Sequence, residues 1–178
     1  MFKVRCPAKI NTYLNILHKR DDNYHEISSN LQLINLFDEI SFERSKEMSL
    51  ICNEKSIENE NLVIDSIKWF NKKYSKNHRF RINLHKNIPL QSGLGGGSSN
   101  AAVTMLALNE LLALGYGVDE MADMGAALGA DVPVFVRGQS AWGEGIGEKL
   151  TPIELPNRWY VIIYPNCHVS TQEIFTAP

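Results

Sequence analysis

Apolar and polar residues alternate over Phe2–Cys6 and, with gaps, over Ile10–His18, which predicts two strands separated at Pro7. Lys19-Arg-Asp-Asp-Asn23 is a polar turn. Further strands are predicted from Ile27 to Leu36, around Glu39 to Glu43, and over Met48 to Cys52. Glu54 to Glu60 is acidic and loop-like. The pattern then changes period. Val63, Ile67, Phe70 and Tyr74 fall on one helical face, predicting a helix over 61–74, with lysines towards its end that complement its dipole. Phe80 to His85 alternates again and is read as a strand.

Beyond the next loop, Ala101–Ala113 is apolar nearly all round, the signature of a helix buried in a core. Asp119 to Leu128 is a further helix, stopped at Gly129. Asp131-Val-Pro-Val-Phe135 reads as the N-cap and first turn of a short one, with Pro133 where its missing N–H costs least. Ala141 to Lys149 suits a hairpin, Arg158 to Tyr164 a strand, and Thr171 onwards the start of another helix. Strands first and helices later give an α+β fold, with a mixed, mostly antiparallel sheet on helices.

The loop joining the strand at 80–85 to the apolar helix is Pro89-Leu90-Gln91-Ser92-Gly93-Leu94-Gly95-Gly96-Gly97-Ser98-Ser99-Asn100. Its glycines permit positive φ and close backbone approach, and Ser98, Ser99 and Asn100 are candidates to cap the helix. A nest of unpaired N–H groups at a helix N-terminus suits a phosphate. Known fingerprints do not match. Ser98 stands where a dinucleotide motif has its third glycine, no lysine follows as in a P-loop, and Asn100 replaces the last glycine of a nucleophile elbow. A mobile linker is the alternative, but linkers are not usually followed by so apolar a helix.

Composition narrows the classes. The chain has 178 residues, 44% hydrophobic and 21% charged, enough for a sizeable core. A net charge of −2 makes no electrostatic case for nucleic acid or an anionic membrane. The basic run from Lys68 to Arg81 has its aromatics on the expected buried face, which favours a solvated helix end. Cys6, Cys52 and Cys167 are few and dispersed, suggesting free thiols, and no set of histidines and cysteines has metal-ligand spacing. No secretory leader or long apolar span is visible, so the expected location is cytoplasmic.

Pro7-Ala-Lys-Ile-Asn11, Tyr24-His25, the glycine loop, Leu128-Gly-Ala-Asp-Val-Pro-Val-Phe135 and Glu144-Gly-Ile-Gly-Glu148 occur together in this order. The set resembles the family of galactokinase, homoserine, mevalonate and phosphomevalonate kinases. Within it, the first two motifs and Leu-Gly-Ala-Asp-Val-Pro resemble the branch acting on a cytidine diphosphate-linked methylerythritol. The resemblance implies an ATP-dependent phosphorylation of that small molecule's 2-hydroxyl, on the non-mevalonate route to isoprenoid precursors. It implies that Pro89–Ser99 holds ATP phosphates, that Asn61 and Lys86 lie near adenine, and that Mg²⁺ arrives with ATP. It makes Asp131 the general base and Lys9 its cationic neighbour. Without the resemblance, Asp131 would be a helix cap and Lys9 a surface lysine. Asn11, Tyr24, His25, Thr171 and Phe175 become substrate-side residues. His25 pairing with Glu26 at the surface is the plainer alternative.

The same resemblance implies an ATP-binding domain over 1–165, with 166–178 leading towards a second domain. A mevalonate- or homoserine-type kinase remains an alternative, as does a nucleotide-binding fragment inactive by itself. Monomer and homodimer are both left open.

Overall fold

The computed structural model describes residues 1–22, 24–58 and 61–165. Among these residues six strands form one sheet: β1 (Phe2–Lys19), β2 (His25–Arg44), β3 (Ser49–Cys52), β4 (Phe80–His85), β5 (Ala141–Gly145) and β6 (Lys149–Pro152). The helices are α1 (Leu62–Lys73), α2 (Gly96–Leu111), α3 (Val118–Ala126) and α4 (Val132–Arg137).

β2 is the spine. One edge pairs antiparallel with β1 from His25 to Phe42, while the other takes β5 at Ile27–Leu31 and β4 at Glu39–Arg44. β4 pairs in parallel with β3, and β5 with β6 as a hairpin. The α+β, mostly antiparallel reading therefore holds.

The core follows from the patterns. Phe80, Ile82 and Leu84 alternate into it from β4, and Ile40 and Phe42 from β2. They meet Val63, Ile67 and Phe70 of α1 and Ala101, Ala102, Met105 and Leu108 of α2. α2 is buried on most sides, as its composition requires. Asn61 caps α1 by accepting from the Val63 N–H at 2.9 Å.

Several expectations need correction. Pro7 does not end a strand: β1 runs through it, paired with Phe37, and the register shift that follows leaves Asn35 and Leu36 of β2 without a pairing partner on β1. The two strands predicted within 27–43 are likewise one, β2, so Asp38 lies inside a strand. α2 begins at Gly96 with Gly95 as its N-cap, in the left-handed conformation at φ 72°, so Ser98, Ser99 and Asn100 belong to the helix itself. The predicted strand at Arg158–Tyr164 is not formed: the segment joins no strand among the described residues, and Trp159, Val161 and Ile163 stand exposed. Strand-like composition alone does not supply a neighbouring strand for hydrogen bonds.

Candidate active site

The end of β4, the glycine loop and the first turn of α2 enclose a cleft of about 750 Å³, to which Asn61, Lys86 and Asn100 contribute. Gln91 at φ 54° and Gly93 at φ 74° turn the chain, and Ser92 Oγ closes the bend by donating to Pro89 O at 2.8 Å. Gly95 adds close approach to its positive φ: a Cβ there would lie 2.7 Å from the Phe135 ring and 3.2 Å from Lys9 Cγ. A Cβ on Gly96 would meet Ile88 and Lys86 Nζ, each at 3.0 Å. The loop is thus packed from below, with the N–H groups of the first α2 turn left without intrahelical partners. Ser99 Oγ in that turn is buried without a hydrogen-bond partner among the described residues.

Lys9 ties this loop to the second group of motif residues. Its N–H donates to Leu94 O at 2.9 Å across the edge of β1. Its side chain is buried, and Nζ lies 3.3 Å from Asp131 Oδ2 and 2.7 Å from Asn11 Oδ1. Asn11 in turn donates to Ser29 Oγ at 2.6 Å, and Ser29 donates to Tyr13 O. Lys9 and Asn11 do share a face of β1, as their spacing requires. The register shifts after Pro7 and after Asn11 flank the pair, a usual place for bulges that aim side chains into sites.

Asp131 stands at the N-cap of α4, held by the Val132 N–H to Gly129 O turn, but makes no capping hydrogen bond. Its carboxylate is about one third exposed. The competing reading of this aspartate as a helix cap does not describe its side chain, which faces Lys9. A buried ammonium paired with a part-exposed carboxylate leaves a negative oxygen able to take up a proton from a bound group.

Tyr24 lies at the tip of the β1–β2 arm, 60% exposed. Asp22 Oδ1 accepts from its N–H at 3.0 Å, its carbonyl accepts from the Arg20 N–H at 2.8 Å, and Arg20 bridges Asp22 and Glu26. This arrangement holds the Asp22 carboxyl below its usual range, chiefly through the Arg20 hydrogen bond. Glu26 therefore pairs with Arg20. His25 opens β2 and is half-buried. Midway along the arm, Tyr13 stacks on Trp142 of β5, centroids 5.7 Å apart. Thr171 and Phe175 lie outside the described residues.

Two assignments change in detail. Asn61 lines the cleft, but its side-chain amide is engaged as the α1 cap and as a donor to Ile57 O. Lys86 also reaches the cleft, yet its ammonium forms a buried ion pair with Asp38, which the sequence reading missed. The acidic pair Asp38-Glu39 between apolar Phe37 and Ile40 was the available signal. A separate concavity of about 660 Å³ on the sheet face turned away from the helices carries Lys3, Arg5, Asn83 and His85, none from the motifs.

Residues 61–139 match the family described as GHMP kinases N terminal domain. The 4-diphosphocytidyl-2-C-methyl-D-erythritol kinase of Acinetobacter baylyi is 44% identical over 183 residues, covering 99% of this chain and 64% of that protein. Its Pseudomonas aeruginosa counterpart is 42% identical over 176 residues, covering 97% and 62%. The chain thus spans a little over three fifths of the length of these curated relatives. A crystal structure of 4-(cytidine 5'-diphospho)-2C-methyl-D-erythritol kinase superposes with a TM-score of 0.75 at 34% identity, covering 87% of this chain and 56% of that one. Streptococcus pneumoniae phosphomevalonate kinase, at 14% identity, TM-score 0.62 and coverage of 81% and 48%, shares the fold. With a glycine cradle, a family domain over its middle and similarity along nearly its whole length, the chain is similar to the GHMP kinases and matches their N-terminal domain over 61–139.

Proposed function

We propose that the protein carrying this chain transfers the γ-phosphoryl group of ATP to the 2-hydroxyl of 4-diphosphocytidyl-2-C-methyl-D-erythritol. The observation that carries this reading is the Lys9–Asp131 contact at 3.3 Å, tied to the glycine loop through Leu94. The loop suits a triphosphate in shape, since Gly95 and Gly96 admit no side chain and α2 starts there with its N–H groups outward. Magnesium would come with the nucleotide, held by phosphate oxygens and water.

Asp131 accepts the proton of the 2-hydroxyl as that oxygen bonds to the γ-phosphorus and the bond to the β–γ bridging oxygen breaks, releasing ADP. Lys9 offsets negative charge on the attacking oxygen, while Asn11 fixes the ammonium. Tyr24 presents a ring face for the cytosine and His25 a hydrogen-bonding edge, with Thr171 and Phe175 as further substrate-side residues by likeness alone. Residues 1–165 form the nucleotide-binding domain, and a second domain joined after 166–178 closes the cleft.

Asp131→Asn is expected to lower kcat by roughly 10²-fold or more with ATP affinity retained. Near-normal turnover would remove Asp131 from this role. CDP and CMP as competitors separate the cytidine-linked substrate from a mevalonate- or homoserine-type acceptor, since only an enzyme with a cytosine site is inhibited. The Tyr24-His25 pair favours the first.

A further inference from the structure

Asp38 has no exposed surface and no place in the chemistry above, yet it is the most heavily hydrogen-bonded carboxylate among the described residues. Oδ1 accepts the N–H groups of Asn87 and Ile88 at 2.8 and 2.9 Å. Oδ2 accepts from Asn100 Nδ2 at 2.9 Å and from the Lys86 ammonium. Lys86 Nζ also donates to Asn100 Oδ1 at 3.1 Å, closing a triangle of three buried side chains. Those three come from β2, the residue after β4, and the second turn of α2. The backbone of Lys86 is fixed as well, its N–H and carbonyl both bonded to the Asn53 amide.

The triangle forms the floor of the glycine loop. Gly96 rests against Ile88 and Lys86 Nζ so closely that one methyl group would reach 3.0 Å from each. The two amides bound by Asp38 immediately precede Pro89, where the loop begins. Both ends of the loop are therefore referred to a single carboxylate. For stability alone a buried ion pair is a poor choice, since its desolvation offsets its attraction and apolar replacements often serve as well. Charge attraction to phosphate is not its use either, because Asp38 cancels the ammonium.

We propose that Asp38 is a positioning residue for the nucleotide, which through Lys86 and Asn100 sets the height and angle of the Gly95–Ser98 turn. The inference rests on the reading of that turn as a phosphate cradle. The decisive variants are Asp38→Asn combined with Lys86→Met, which removes both charges together, and Asn100→Ala, which cuts the link to α2 while leaving the ion pair.

In the intact protein, calorimetry with ATP and separately with CDP, alongside a ligand-free thermal melt, tests the idea. Both variants are expected to weaken ATP binding by roughly tenfold or more, since small displacements of binding groups are costly. CDP affinity is expected to stay within about twofold. A lower melting temperature with unchanged ATP affinity would reduce the triangle to a structural role and overturn the proposal. Should the double variant fail to fold, Asn100→Ala decides alone. If the unmodified protein binds CDP but not ATP, the phosphate-cradle reading itself falls and takes this inference with it.

Discussion

The phosphate end and the arm of this molecule are built by opposite means. At the glycine loop the supporting contacts are close, Gly95 on Phe135 and Gly96 on Ile88, and the Asp38–Lys86–Asn100 triangle beneath is buried. Along the arm, β1 is exposed from Asn11 to Lys19, and Tyr24 is held at the tip by Asp22 and Arg20 at the surface. Close packing makes the first region intolerant of a single methyl group. The second depends on backbone pairing between β1 and β2, with surface charges adding little. The contrast matches the two proposed ligands. A triphosphate is recognised by a fixed array of amides, whereas a base is recognised by one aromatic face and a few polar edges.

Gly95→Ala is expected to break the rigid end most severely. It forces a Cβ into Phe135 at 2.7 Å and places alanine at φ 72°, so ATP-dependent turnover should fall by roughly 10²-fold or more in steady-state assays. ATP binding at wild-type strength in this variant would contradict the picture of a preformed cradle. Tyr24→Ala probes the other end: CDP affinity by calorimetry should weaken by about tenfold while ATP affinity holds, in line with loss of one stacked base. Equal losses for both ligands would mean that the two ends are not separable.

Arg20→Ala should do less, about a twofold rise in the substrate KM with kcat unchanged, because its partners Asp22 and Glu26 are at the surface. The smallest effect belongs to Cys6, next to the buried triangle. Burial pushes this thiol up to about 12, with the neighbouring Asn100 opposing. The unfolded thiol ionises first as pH rises, so the folded state keeps its full advantage below about pH 8.5 and loses some above it. Melting curves from pH 8 to about 10.5 should show a steeper decline for the native protein than for Cys6→Ala, and Cys6 should resist alkylating reagents until the protein unfolds.

How much of this was written in the sequence differs by scale. α1, β3 and β4 follow their periodicities closely, and α2 is where its apolar composition puts it. The Lys9–Asn11 face was readable because strand geometry fixes where residues two apart point. What escaped was continuity. Pro7 and the Phe37–Asp38 step look like strand ends, but a bulge and a buried carboxylate allow β1 and β2 to run on. The helix start was also misplaced by a few residues, since Gly95 caps α2 through its backbone conformation and leaves the serines no capping task. Lys86 could be placed near the cleft by resemblance, but its partner lies 48 positions away and no local pattern encodes that meeting. Likewise Arg158–Tyr164 has the aromatic and β-branched composition of a strand, and pairing depends on a neighbour that the segment itself does not encode.

β2 has a consequence for how such a chain can change length. One unbroken ribbon of 20 residues carries His25 at its beginning and Asp38 fourteenth along it. Removing or adding a single residue between them would turn one of the two to the wrong side of the sheet. Insertions are therefore expected to be accepted at the hairpin tip around 20–24 or in the turn after Arg44, and rejected within the regularly paired stretches 25–34 and 37–44, even where the intervening side chains touch neither ligand.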